Sequence, residues 1–467
     1  MRKLYWYLTI YFKKHGFILV ASILSAIILF AVFLPLLSRK VTLRQRRYIG
    51  VIGEYTLNNL PDEVMTKISA GLTAISDDQK VEPALAERWS VEDEGKTYRF
   101  ILKEDIKWQD DKPLEPSDIE YNFHDTEIIT TPNDIVFKLP APFSPFPSIV
   151  SKPIYRIEME KYLVFLKRLM IIGIGENKVI DYTEVGGKLK EIVIDNPDER
   201  LVFRIYLTKD DAIVALKKGE IDYLSGLPSS SKFDDWKSLN VEKKLRTDLY
   251  LAVFFNHDNE IFSKSIRQAL AYSIEKADDE SRIFGPINRK SWAHLEGGKS
   301  YKKDLDRAVE RLMTEIPNEP IKLELTTTSL YEGKANSIKQ QWIKLGELAQ
   351  EECNKSKDIK DKEQCVNLQI SVDIKITNFP DVNNFQLLLM GQRIPSDPDQ
   401  YSIWHSGNSG NFTKYQNTRI DSLLEKGRQT IEAKDRLAIY QEFQQFLLED
   451  PPAIFLENLY TYDVYRE

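Results

Sequence analysis

Most of what marks an enzyme or a nucleic-acid binder is missing from this chain. Its 467 residues contain two cysteines, both after residue 350, and five scattered histidines: His15, His124, His257, His294 and His405. No H-E-x-x-H pair, P-loop or G-x-S-x-G elbow occurs. The closest approaches are HSGNSG at 405–410 and the GIG of 173–175, which lacks the third glycine of a dinucleotide turn. No acid/base carboxylate pair can be read off the spacing, and no cofactor is called for. Basic residues are not in excess: 64 Lys and Arg face 71 Asp and Glu, a formal net charge of −7. An acidic, interspersed surface is a poor match for a phosphate backbone, so a nucleic-acid partner is excluded. No 20–50-residue repeat appears, which excludes a solenoid.

Long apolar runs are also missing after residue 37, which makes the one before it conspicuous. Phe17 to Leu37, FILVASILSAIILFAVFLPLL, carries no charge. As a helix it reaches roughly 30 Å, about one hydrocarbon core. A signal-peptide core is shorter and ends in a small-residue cleavage site. Here the run ends in Pro35-Leu36-Leu37-Ser38-Arg39-Lys40, so an uncleaved single-pass anchor is expected over residues 1–40. Basic residues flank it on both sides, and charge alone does not orient it. Residues 41–48 follow as a basic linker.

The remaining length exceeds what one core usually fills, so two lobes are expected. Hydrophobic residues make up 42% and charged residues 29%, a globular balance. Alternating signals point to α/β lobes. IGVIG, EIVID, RLVFRIYL, LYLAVFFN, IKLEL, LQISVDIKI and FQLLLMG read as strands. PDEVMTKISAGLTAI, DAIVALKKGEID, SKSIRQALAYSIEKA, SIKQQWIKLGELAQEE, RIDSLLEKGRQTIEA and KDRLAIYQEFQQFLLED read as helices. WSVEDEGKTYRF reads as a hairpin turning at Asp93–Gly95. PSDIEYNF reads as a helix that Ser117 caps in a box with Glu120. Cys353 and Cys365 bracket the polar segment NKSKDIKDKEQ. The pattern reads as a disulfide closing a surface loop if the compartment is oxidising, or as two unrelated thiols. The spacing and the lack of a nearby histidine speak against a metal site.

Several blocks, in order, resemble the family 5 extracellular solute-binding proteins, the peptide- and nickel-binding class that feeds ABC importers. They are PALAERW, TYRFIL, IKWQDDKPLEPSDIEYNF, AIVALKKGEID, LAVFFN followed by IRQALAYSIEK, PSDPDQYSIWHS, NTRIDSLLEKGRQ and IYQEFQQFLLEDPPAIFL. The family's glycine-rich turn is degraded to Gly173-Ile174-Gly175-Glu176-Asn177. The resemblance runs from about Gly50 to the C-terminus. It implies a type II periplasmic-binding-protein fold, with two lobes around a cleft. Lobe 1 would be 48–252 plus 450–467 and lobe 2 would be 257–445, joined by strands at Val253–Asn256 and Ala453–Glu457. The extra subdomain of lobe 1 would be reduced. The implied function is capture of a peptide or other small solute for delivery to ABC permease and ATPase subunits. The large domain would be extracytoplasmic and the N-terminus cytoplasmic, at the cell membrane. A membrane-anchored sensor or scaffold without transport is the alternative; an enzyme is not expected.

The resemblance also marks candidate ligand contacts. Asn58 and Asn59 fall in the loop before the family's first helix, where helix-start turn chemistry is the competing reading. Gly391, Gln392, Arg393 and Ile394 match the strand end on which ligand backbones lie. Peptide binders of the family carry a carboxylate there that pairs with the ligand's amino terminus. Counting back from Asp397-Pro398, that position is Ile394, so the carboxylate is missing, with Asp397 or Asp399 as its possible substitute. Trp404 is a stacking candidate against a core reading. Asn256 is a ligand contact or a brace for the crossing strand.

Overall fold

The computed structural model describes residues 14–18, 21–22, 24–26, 45–163, 166–357 and 362–466. Most of the Phe17–Leu37 run therefore lies outside the described residues. Those of its positions that are described are helical. Among the described residues no helix is long and apolar enough to cross a membrane.

The backbone of the fold is one mixed sheet, ten strands wide among the described residues. Its order is Lys178–Val185, Lys188–Asp195, Arg200–Tyr206, Arg46–Ile52, Tyr223–Leu227, Ala453–Tyr465, Asn240–Phe255, Leu387–Arg393, Ile321–Thr327 and Ile370–Ile376. The first strand starts at Arg46, inside the segment read as a linker. Two long strands sit at the centre, Asn240–Phe255 and Ala453–Tyr465, antiparallel to each other. Their lower halves join Tyr223–Leu227 and the strands of lobe 1. Their upper halves join Leu387–Arg393 and the strands of lobe 2.

The two strands do not pair evenly. Asn240 to Arg246 pairs with Tyr465 to Leu459, and pairing resumes at Tyr250 opposite Asn458. Thr247, Asp248 and Leu249 are the extra residues, and such a bulge bends a ladder and adds twist. Asn458 holds it. Its side-chain amide donates to Leu249 O at 3.1 Å and Thr247 O at 3.4 Å, and its backbone N–H donates to Ser281 O at 2.6 Å. The expected passage at Val253–Asn256 lies further up. Val253 and Phe255 are buried in one lobe 2 core layer, and Ala252 and Phe254 in the other.

Alternation of side chains across the crossing strands explains those two layers. Leu251, Val253 and Phe255 pack with Leu387, Leu389, Ile338 and Trp342 against helix Glu332–Lys355. Tyr250, Ala252 and Phe254 pack with Trp404, Phe443 and Leu447 against helices Thr418–Gln429 and Ala433–Glu449. In lobe 1, helix Lys209–Lys218 is capped by Thr208 and stopped by Gly219, and it buries Ala212, Ile213, Ala215 and Leu216. Helix Lys264–Ser273 is capped by Ser263.

Lobe 1 carries a subdomain on a separate four-stranded sheet. Ala86–Glu92, Thr97–Leu102, Asp134–Lys138 and Glu127–Thr130 build it around Tyr98, Phe100, Phe137 and Phe146. The Asp93–Gly95 turn is as expected. The PSDIEYNF helix is not formed: Pro116–Asp118 is a single 3-10 turn boxed by Glu115 and Asp118, and beyond it Ile119, Tyr121 and Phe123 turn alternate side chains to the subdomain core, as an extended chain does. A second hairpin, Arg156–Leu163 with Leu166–Ile172, has no counterpart in the sequence reading. The degraded glycine turn joins subdomain to lobe. A Cβ on Gly173 would sit 2.3 Å from Ile68 O, and Gln109 bridges Ile68 O and Asn177 O.

Cys353 and Cys365 form a disulfide with a Cα–Cα distance of 5.7 Å, both buried against the lobe 2 core. The bridge staples the C-terminal end of helix Glu332–Lys355 to the turn before Ile370–Ile376. The chain-entropy account gives a loop this short a contribution on the order of 3 kcal/mol. The Cys353→Ser, Cys365→Ser double variant should therefore melt at a lower temperature than the parent in calorimetry, and dithiothreitol should shift the parent alone. Equal melting with and without reductant would remove the bridge from the folding energetics.

Candidate functional site

Open α/β sheets hold ligands beyond the carboxyl ends of their parallel strands, and both lobes offer such ends. From lobe 1 comes the loop after Arg46–Ile52. From lobe 2 come the ends of Ile321–Thr327 and Leu387–Arg393. The bulged crossing strands make the floor.

On the lobe 1 side, Thr56 and Asn59 exchange backbone hydrogen bonds at 3.2 and 3.1 Å. The Tyr155 hydroxyl donates to Leu57 O at 3.0 Å. These contacts fix a tight turn that leaves Asn58 and Asn59 exposed at its tip. On the lobe 2 side, Gly391 lies under Leu459 and the Tyr331 hydroxyl, which a Cβ would meet at 3.0 and 3.3 Å. Gln392 and Arg393 follow, paired with Tyr250 and Leu249. The Arg393 side chain is 75% exposed, with Nε 3.8 Å from Asp248 Oδ2.

Asp248 is the centre of the charge pattern on the floor. Arg246 grips it with two bonds, Nε to Oδ1 at 2.8 Å and Nη2 to Oδ2 at 2.7 Å. Those bonds, Arg246 first, hold the Asp248 carboxyl below its usual range against the opposing effect of burial. The backbone of Asp248 accepts the Ile394 N–H at 2.8 Å. Glu457, on the other crossing strand, pairs with Lys334 at 2.8 Å.

Other candidates are used elsewhere. Ile394 is 4% exposed and belongs to the lobe 2 core. Trp404 is fully buried between Phe254 and Phe455, so it packs the core and does not face a ligand. Asn256 braces the chain: its amide donates to Phe385 O at 2.7 Å and its carbonyl accepts the Asp258 N–H at 3.1 Å. Asp397 is buried in a two-bond pair with Arg436, at 2.7 and 3.1 Å. Asp399 is held by Arg428 Nε at 2.9 Å, so neither aspartate substitutes for the missing carboxylate at Ile394. Arg246, Asp248 and Asn458 were not singled out in the sequence, because nothing local distinguishes a bulge from a continuous strand.

A second contact joins the lobes away from the floor. Ser144, on the subdomain, donates through its backbone N–H to Arg428 O at 2.7 Å and through its hydroxyl to Gly427 O at 2.9 Å. Those carbonyls close the last turn of helix Thr418–Gln429, which needs outside donors. Phe143 packs by the Arg428 guanidinium, and Ile431 packs on Gly95. Beside this joint, Pro140, Pro142, Phe143, Tyr401 and Arg428 line an open cavity of about 580 Å³. Among the described residues no group of three or more His, Cys, Asp or Glu is placed to hold a metal ion.

The pattern common to bacterial extracellular solute-binding proteins of family 5 (middle) matches residues 80–409. The chain belongs to that family. It is thus an extracellular solute-binding receptor with the α/β periplasmic-binding-protein fold, not an enzyme. The dipeptide-binding protein DppE of Bacillus subtilis is 21% identical over 473 aligned positions, spanning 85% of this chain and 82% of DppE. The fold matches NikZ from Campylobacter jejuni, solved with Ni(L-His), with a TM-score of 0.61 and 21% identity over 90% of this chain and 94% of NikZ. It matches AppA from Bacillus subtilis, solved with a nonapeptide, at 0.58 and 18% identity over 91% and 95%.

The Asp397 assignment yields a direct test. Removing one member of a buried ion pair typically costs about 3–5 kcal/mol. Asp397→Ala should lower the melting temperature sharply while the folded fraction, titrated by calorimetry, binds ligand as the parent does. Lost affinity at an unchanged melting temperature would make Asp397 a ligand contact.

Proposed function

We propose that this receptor captures peptides, or small solutes of similar size, outside the cytoplasmic membrane and hands them to the permease and ATPase subunits of an ABC importer. The observation that carries this reading is the gap between two lobes joined by two bulged strands, lined by strand ends. Such a geometry lets a ligand touch both lobes, so closure follows from its higher affinity for the closed state. The dipeptide of DppE and the nonapeptide of AppA support the solute class. The expected lobe limits, 48–252 plus 450–467 and 257–445, are moved at the crossing: Tyr250–Phe255 and Ala453–Leu456 pack in the lobe 2 core, so the pivot is assigned to the Thr247–Leu249 bulge. Asn58, Asn59, Gly391, Gln392 and Arg393 are the assigned ligand contacts.

The receptor is tethered by a helix over Phe17–Leu37, with the N-terminus cytoplasmic. Phe17, Ile18 and Leu24 support this, since they stand exposed on described helical residues, a surface suited to lipid.

Two measurements test the reading. In native membrane vesicles, a mixed peptide pool should stimulate vanadate-sensitive ATP hydrolysis several-fold, and the stimulation should vanish in vesicles lacking this chain. Peptide binding without any chain-dependent hydrolysis would defeat the transport role. For the tether, mass spectrometry of the membrane fraction should recover the peptide beginning at Met1. A soluble form starting near residue 39 would replace the tether with a cleaved leader.

A further inference from the structure

Resting on the receptor reading, the ligand's chemical class can be drawn from the floor of the gap. Arg246 and Asp248 form a two-bond pair that is neutral as a unit. Arg393 touches the same carboxylate only at 3.8 Å, and its guanidinium stays largely in solvent. Its charge is therefore the surplus at this point. Its place is set by the backbone: Leu249 pairs with Arg393, and Asp248 O accepts the next N–H, that of Ile394. The four carboxylates of the crossing strands are all committed, Asp248 to Arg246, Glu457 to Lys334, and Glu242 and Asp463 to Lys244. Asp397 and Asp399 are held by Arg436 and Arg428.

We propose that the floor selects ligands by an anionic end, with Arg393 receiving a carboxylate or similarly compact anion and Arg246 and Asp248 acting as positioning residues. A guanidinium presents a planar fork of donors that suits a carboxylate. An ammonium brought to the same point meets a surplus positive charge and no uncommitted carboxylate on the crossing strands, so desolvating it there is unfavourable. For a peptide, the C-terminus is the end recognised, and the amino terminus carries little of the selectivity.

The test is equilibrium dialysis of the full-length protein in detergent against four mixed-sequence tripeptide pools, read by mass spectrometry. The pools are free, N-acetylated, C-amidated and blocked at both ends. Retention of the free and N-acetylated pools is expected to be similar, with affinity on the order of tenfold weaker for both amidated pools. Arg393→Ala and Arg393→Glu should erase that difference without moving the melting temperature, and Arg419→Ala, on an outer helix, should leave it intact. Loss of binding on N-acetylation with amidation tolerated, or equal retention of all four pools, overturns the proposal. If none of the pools is retained, the peptide reading fails by itself and citrate decides the site. Saturable citrate binding that Arg393→Glu abolishes supports the anion site, and absence of citrate binding overturns it.

Discussion

The structure depends on two strands that belong to both lobes at once. Asn240–Phe255 and Ala453–Tyr465 bury their upper halves on both faces in lobe 2 and pair with lobe 1 below. A continuous ladder at that point would fuse the lobes into one stiff sheet. Three extra residues break it, and Asn458 satisfies the carbonyls that the break exposes. Unsatisfied backbone groups in a buried position cost free energy comparable to a lost hydrogen bond, so the bulge requires a side chain of this kind.

Charge pairing sorts the polar residues near the gap into two sets. Asp397 with Arg436 and Asp399 with Arg428 tie the segment after Leu387–Arg393 to helices Thr418–Gln429 and Ala433–Glu449. These aspartates follow the strand end closely in sequence, yet their carboxylates face the helices behind it. Asn58, Asn59 and Arg393 are by contrast exposed. A site of this composition can orient and hold a ligand.

Strands and helices with strong periodicity were legible in the sequence, because their apolar faces must point to one core whatever the partner. LYLAVFFN, KDRLAIYQEFQQFLLED and the Asp93–Gly95 hairpin fall where expected. PSDIEYNF fails as a helix because Ile119, Tyr121 and Phe123 reach the subdomain core from alternate positions of an extended chain, which the capping pattern ahead of them does not reveal. Trp404 and Ile394 share a cause of error: sequence distance to a site is small, but alternation along a strand sends neighbours to opposite faces. Arg393 is exposed and Ile394 is buried in the core. Asn58, Asn59 and Gly391 to Arg393 are candidates from the family motifs, and Asp248, on the neighbouring strand, lies outside those motifs.

The Ser144 joint bears on how such a receptor moves. A pivot at Thr247–Leu249 leaves the Asn458 bonds inside the pivot itself. It must separate Ser144 from Gly427 and Arg428, and Ile431 from Gly95, because these lie on the two moving bodies. Each neutral hydrogen bond there contributes only about 1 kcal/mol net, since water replaces it on opening. The joint therefore biases the lobes toward each other without locking them, and a ligand that bridges both walls supplies the rest through its differential affinity. The donors at the joint close a helix end that water can also serve, so opening strands no buried polar group and the two arrangements stay close in free energy.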